Sequence, residues 1–218
     1  MNHFDDTIAA LSTPPGESGL AVVRASGPGA LAVLAGVFRA RGGNPSQGAW
    51  EHRRLYHGMV VDAGGGAIDE VMAAVMRAPE SFTGEDVVEV TCHGSMVVVT
   101  RLLEALFAAG ARAAQAGEFT RRAFLNGKMD LLQAEAVADL IHARSELQRK
   151  VAQRQLEGAL SRRLGALADE ALALLAEIEA NIDFVGEDID TLDASAAVRM
   201  LDRHRAELAD LLESAPLS

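Results

Sequence analysis

Between Leu147 and Ile182 the apolar residues Leu147, Val151, Leu160, Leu164, Leu167, Leu175, Ile178 and Ile182 fall along one helical stripe, with a slip near Leu156. That periodicity specifies helix rather than strand, as one long helix or two in succession. An apolar face of this length must be covered. The chain offers only neighbouring short helices and a last helix, ASAAVRMLDRHRAELADLLESA, to cover it. The helical part is therefore expected either to pair with a second copy or to be completed by helices beyond Ser218.

Upstream the pattern differs. Turn residues nearly vanish after about residue 119, whereas before it short apolar runs alternate with Gly, Pro and Asn. GLAVVRASG (19–27) suits a buried strand, and PGALAVLAGVFRA (28–40) has helical spacing with a Pro near its first turn. RGGNPSQG (41–48) reads as a loop, and VDAGGGAID (61–69) as a hairpin turn between the strands RLYHGMVV and VMAAVMRA. VVEVTC is a further strand, and TRLLEALFAAGARAA a helix ended by Gly110. The expected fold class is α+β: a mixed α/β domain over 1–118, then an incomplete all-α helical bundle over 119–218. At the join, Thr120 is expected to cap a short helix RRAFL that stops at Asn126-Gly127. Asp130 then opens the next helix, with Gln133 completing a capping box.

Composition narrows the function. With 218 residues, 49% of them hydrophobic, the chain can bury a substantial core. The single cysteine, Cys92, and the acidic start MNHFDDTIAA point to a cytoplasmic protein, and no apolar run reaches the roughly 20 residues of a membrane span. A net charge of -11 disfavours broad nucleic-acid binding. The charge is uneven: residues 1–118 hold 8 basic and 13 acidic side chains, 119–164 hold 9 and 5, and 165–218 hold 3 and 13. The basic segment either faces an anionic partner or pairs with the acidic tail.

Charged residues inside apolar strands are costly unless paired or facing a ligand. Arg24 follows AVV, Glu89 lies within DVVEV, and Lys128 occupies the Asn-Gly-Lys turn. Each is either a solvent-facing residue, a member of a mutual ion pair, or a ligand contact. Gly27-x-Gly29-x-x-Ala32 imitates a dinucleotide fingerprint, but Pro28 and the lack of a following strand with a terminal acid oppose a dinucleotide-binding oxidoreductase. Cys92 and His93 are adjacent in a strand and point to opposite faces, so they form no dyad. No metal spacing and no G-x-x-x-x-G-K-[ST] motif occurs, and no catalytic residue is expected. A helix-turn-helix reading of RRAFL, NG and DLLQAEAVADLI fails on the acidic start of its second helix.

Taken together, DTIAALSTPPGESGLAVVRASGP, SFTGEDVVEVTCHGS, AGEFTRRAFLNGKMDLLQAEAVADLI and EANIDFVGEDI resemble the MnmE (TrmE) family of tRNA-modification GTPases, in that family's order. The resemblance implies an N-terminal domain that binds a tetrahydrofolate derivative, in a 5-formyl or methylene form, and forms a homodimer. A helical domain would follow, interrupted in the family by a GTPase domain that these residues do not include; GTP, Mg and K belong to that domain. The implied partners are tRNA and the flavoprotein MnmG (GidA), with which the family alters C5 of the wobble uridine. Position by position, Arg24, Glu89 and Lys128 match the family's folate contacts. Glu89 is the expected acceptor for the pterin edge, and Arg24 and Lys128 the expected donors to anionic or carbonyl oxygens. Phe119 and Phe124 are expected as apolar pins. The chain departs from the family pattern at Glu17, Ser95 and Ala116. A purely structural dimerisation module is the competing reading.

Overall fold

The computed structural model describes residues 5–45, 49–183 and 193–214. Residues 46–48 of the expected 41–48 loop, residues 184–189 of the EANIDFVGEDI motif and the last residue of the expected final helix lie outside them. The chain divides into two compact units, Met1–Val137 and Ala138–Ser218.

The first unit is built on seven strands: β1 (Ile8–Leu11), β2 (Ser18–Ser26), β3 (Phe38–Ala40), β4 (Arg54–Val61), β5 (Ala67–Met76), β6 (Val87–Gly94) and β7 (Arg112–Ala113). They form one sheet in the order β3-β4-β5-β6-β2-β1-β7. Neighbours are antiparallel except β1 and β7, which run parallel. The period-two alternation of β2, β5 and β6 sends Val23, Ala25, Val71, Val75, Val88 and Val90 into one core. Helices α1 (Ala30–Val37) and α2 (Met96–Ala108) complete that core through Val33, Leu34, Leu102 and Leu106. The opposite face stays open, with Leu20 64% and Leu55 63% exposed.

Three elements differ from expectation. The helix expected over 28–40 ends at Val37, because Phe38 turns extended (φ -107°, ψ 139°) and enters the sheet opposite Val60. Its ring is buried 6.3 Å from that of Trp50, and burying it outweighs continuing the helix. Strand β1 is only four residues long and is followed by turn residues that hide it in the sequence. The second helix begins at Met96, four residues before TRLLEAL.

Helix α3 (Glu118–Leu125) belongs to the first unit, and α4 (Leu131–His142) crosses the division. In the second unit the slip near Leu156 is a true break: α5 (Glu146–Leu156) and α6 (Ala159–Asp183) are separate helices. Ser145 and Gln148 cap α5 reciprocally. Helix α7 (Ala194–Ser214) returns along α6, tied by Arg163 to Glu207 at 2.9 Å and by His204 to Glu170 at 2.9 Å. The stripe keeps an uncovered apolar side within this unit, where Leu172, Ile182 and Leu212 are exposed. No described helix is long and apolar enough to cross a membrane.

Candidate functional site

Two of the three expected site residues meet directly. Arg24 on β2 and Glu89 on β6 are partners in the antiparallel register, and both point away from the core. Arg24 donates to Glu89 Oε1 from Nε at 2.8 Å and from Nη2 at 2.6 Å. The side chains are 24% and 28% exposed, so the pair is neither sealed nor free. Among the described residues, Glu89 Oε2 has no hydrogen-bond partner. The Arg24 guanidinium carbon also lies 5.4 Å from the ring centre of Phe82 and 5.5 Å from that of Phe119, within cation–π range.

Among the described residues, Lys128 makes no hydrogen bond or ion pair with either side chain. Its ammonium donates to the Pro79 carbonyl at 3.0 Å, at the start of the 79–86 loop that carries Phe82. The position follows from how α3 ends. Lys128 N–H reaches the Ala123 carbonyl at 2.8 Å and Gly127 N–H the Phe124 carbonyl at 3.0 Å, a Schellman turn with Gly127 at φ 69°. The Asn126 amide then donates to the Thr83 carbonyl at 2.8 Å, and a Cβ on Gly84 would lie 3.2 Å from Asn126 Cβ and Lys128 Cγ. The FTGED and FLNGK segments are thus docked face to face. Gly127→Ala, forced into the left-handed region, is expected to destabilise the first unit by roughly 1–2 kcal/mol. Urea unfolding followed by Trp50 fluorescence measures it, and an unchanged midpoint would show that the turn is not needed.

Beneath this surface lies an ionic cluster that sequence reasoning did not identify. Arg122 is fully buried and donates to Glu85, Glu118 and Asp6 Oδ1 at 3.2, 3.1 and 2.7 Å. Glu85 also accepts from Ser26 Oγ at 2.7 Å, which fastens the loop to β2. Arg112 grips Glu118 through two bonds of 2.9 and 2.6 Å. Those bonds, with help from the Gln115 N–H and Arg122, overcome the upward push of burial and hold the Glu118 carboxyl down at about 2. A basic pair inside GEFTRR, facing acids in FTGED, was the available signal.

Thr120 does not cap α3; Gly117 precedes the helix and its carbonyl accepts the Arg121 N–H at 2.9 Å. Asp130 and Gln133 do form the reciprocal cap of α4. Phe119 is half-buried against Arg24, whereas Phe124 is exposed and pins nothing into a core. Cys92 is buried, which raises its thiol pKa, while His93 lies on the other face with Nδ1 2.8 Å from Asp69 Oδ1. The Gly29 N–H, a donor that a phosphate would need, is taken by Thr7 Oγ1 at 2.9 Å.

Residues 7–128 match the family model described as GTP-binding protein TrmE N-terminus, and residues 131–217 match the MnmE helical domain. The tRNA modification GTPase MnmE of Geobacter sulfurreducens is 52% identical over 189 residues, covering 86% of this chain and 41% of that protein. The protein of the same name from Alkaliphilus metalliredigens is 45% identical over 213 residues, covering 97% of this chain and 46% of that one. For Moorella thermoacetica the figures are 48% over 185 residues, 84% and 40%. The chain spans less than half the length of these relatives. Two adjoining family matches in the family's order, with identities of this size across nearly all its residues, establish that the chain belongs to the MnmE (TrmE) family of tRNA modification GTPases.

Proposed function

We propose that this chain binds a tetrahydrofolate derivative, in a 5-formyl or methylene form, through Glu89, Arg24 and Lys128. The observation that carries the reading is the open Oε2 of Glu89, on a part-exposed side chain of the outer sheet face whose partner Arg24 lies against two aromatic rings. A pterin edge presents adjacent N–H donors that such a carboxylate accepts, and Arg24 and Lys128 suit carbonyl or carboxylate oxygens. When bound, the folate supplies or holds a one-carbon unit. Residues 1–118 would form the binding and homodimerisation domain, and Lys128, within the first compact unit and the TrmE N-terminus match, would add its contact just ahead of the helical domain. In the cytoplasm the full-length protein would use this site with tRNA and the flavoprotein MnmG (GidA) to modify C5 of the wobble uridine. GTP, Mg and K would be handled by chain outside these residues, which would also cover the open side of α6 and α7.

Calorimetric titration with 5-formyltetrahydrofolate tests the reading. Saturable binding is expected, weakened about 10- to 100-fold in Glu89→Ala and in Lys128→Ala, as for hydrogen bonds to charged groups. No binding by folded wild type overturns it. A structural dimerisation module is the second reading, favoured by the open apolar sheet face at Leu20, Leu55 and Met72. A dimer that binds no folate selects it.

A further inference from the structure

The 2-amino-4-oxopyrimidine edge of a pterin is a cyclic guanidine: a planar carbon bonded to nitrogens, with N–H donors side by side. Arg24 presents the same unit to Glu89. Its Nε and Nη2 both donate to Glu89 Oε1, at 2.8 and 2.6 Å, and its guanidinium carbon lies 5.4 and 5.5 Å from the rings of Phe82 and Phe119. The features that would recognise a pterin, a carboxylate for paired N–H groups and aromatic rings beside a planar system, are already engaged by a side chain of the protein itself.

Engagement by Arg24 and by a ligand is competitive at Oε1 and beside the rings. We propose that Arg24 is an internal placeholder for the pterin edge: its guanidinium occupies Glu89 in the free chain and is displaced when the ligand enters. The inference rests on the folate reading of the site and adds an exchange step to it. The pair is strong enough to keep Glu89 from standing unpaired and exposed enough to yield. Release is local, because the ionic cluster around Arg122 holds the 79–86 loop through Glu85 and Asn126 holds it through Thr83, without Arg24. The freed guanidinium, still next to the site, becomes available to the carboxylates of the folate tail.

A tail-less probe separates the two roles of Arg24. In Arg24→Ala, checked for folding by circular dichroism, 6-methyltetrahydropterin is expected to bind more tightly than to wild type. A partly exposed ion pair limits the gain to about fivefold. The same variant should narrow the advantage of 5-formyltetrahydrofolate over the tail-less pterin. In wild type, the Arg24 Nε–H resonance is expected to shift on saturation with either ligand. Ligand binding that leaves this resonance in place, or a tail-less pterin bound no more tightly by the variant, overturns the placeholder while leaving the folate site standing. If wild type binds neither compound but Arg24→Ala binds the pterin, Arg24 is a permanent block rather than a displaceable placeholder, and the exchange step is overturned together with the folate reading of this chain. If neither protein binds either compound, the placeholder and the folate reading both fall.

Discussion

Arg122→Ala lowers the stability of the first unit by about 3–5 kcal/mol, the expected result of removing one partner of a buried charge pair. The guanidinium is fully buried, and it touches Glu85, Glu118 and both the carbonyl and the carboxylate of Asp6. Glu118 would keep Arg112, but Glu85, itself fully buried, would keep only the hydroxyl of Ser26 and lose its counter-charge. The loss comes from the stranded carboxylate rather than from the attraction alone, so neutralising Glu85 should recover part of it. Arg122→Met with Glu85→Gln is therefore expected to be more stable than Arg122→Met by itself. Trp50 is the single tryptophan and is buried in the core of the first unit, so its fluorescence in urea follows that unit. A change below about 1 kcal/mol in Arg122→Ala, the scale of a surface pair, would mean that the cluster does not hold the loop.

This cluster also marks where the sequence stops being readable. Alternation within AVVRAS and VVEVTC is enough to put Arg24 and Glu89 on the polar side of their strands, since each is flanked by residues bound for the core. Their contact is another matter, because it depends on β2 lying beside β6 in a register that pairs residues 65 positions apart. Local chemistry was legible where it is local: Asn126-Gly127 ends α3, and Asp130 with Gln133 opens α4. It misled at Thr120, a residue type favoured as a cap, because the chain enters α3 through a left-handed Gly117. Phe82, Thr83 and Glu85 look like ordinary turn residues in SFTGED. Only the folded loop reveals that Thr83 and Glu85 are buried and that Phe82 reaches Arg24.

Acid should unfold the first unit through Glu118. Its carboxyl is held near 2 in the folded chain by hydrogen bonds from Arg112, the Gln115 N–H and Arg122, against the opposing effect of burial, whereas an ordinary glutamate titrates near 4.5. A folded-state pKa below the unfolded one means that the unfolded chain takes up the proton first. The stabilisation is complete above about pH 4.5 and drains away as pH falls toward 2. A displacement of this size corresponds to about 3 kcal/mol, with little screening because the side chain is buried. Asp6 loses its contribution in the same acid range: burial would raise its pKa, but hydrogen bonds from Arg112 and Arg122 outweigh that and lower it. Urea midpoints from Trp50 fluorescence should therefore fall steeply between pH 5 and pH 2.5. Glu118→Gln, which has no such proton to take up, should be less stable than wild type at pH 7 and approach it at pH 2.5. Parallel curves for the two proteins would place the acid sensitivity elsewhere. Convergence would assign it to the carboxylate that anchors α3 beneath the loop bearing Phe82.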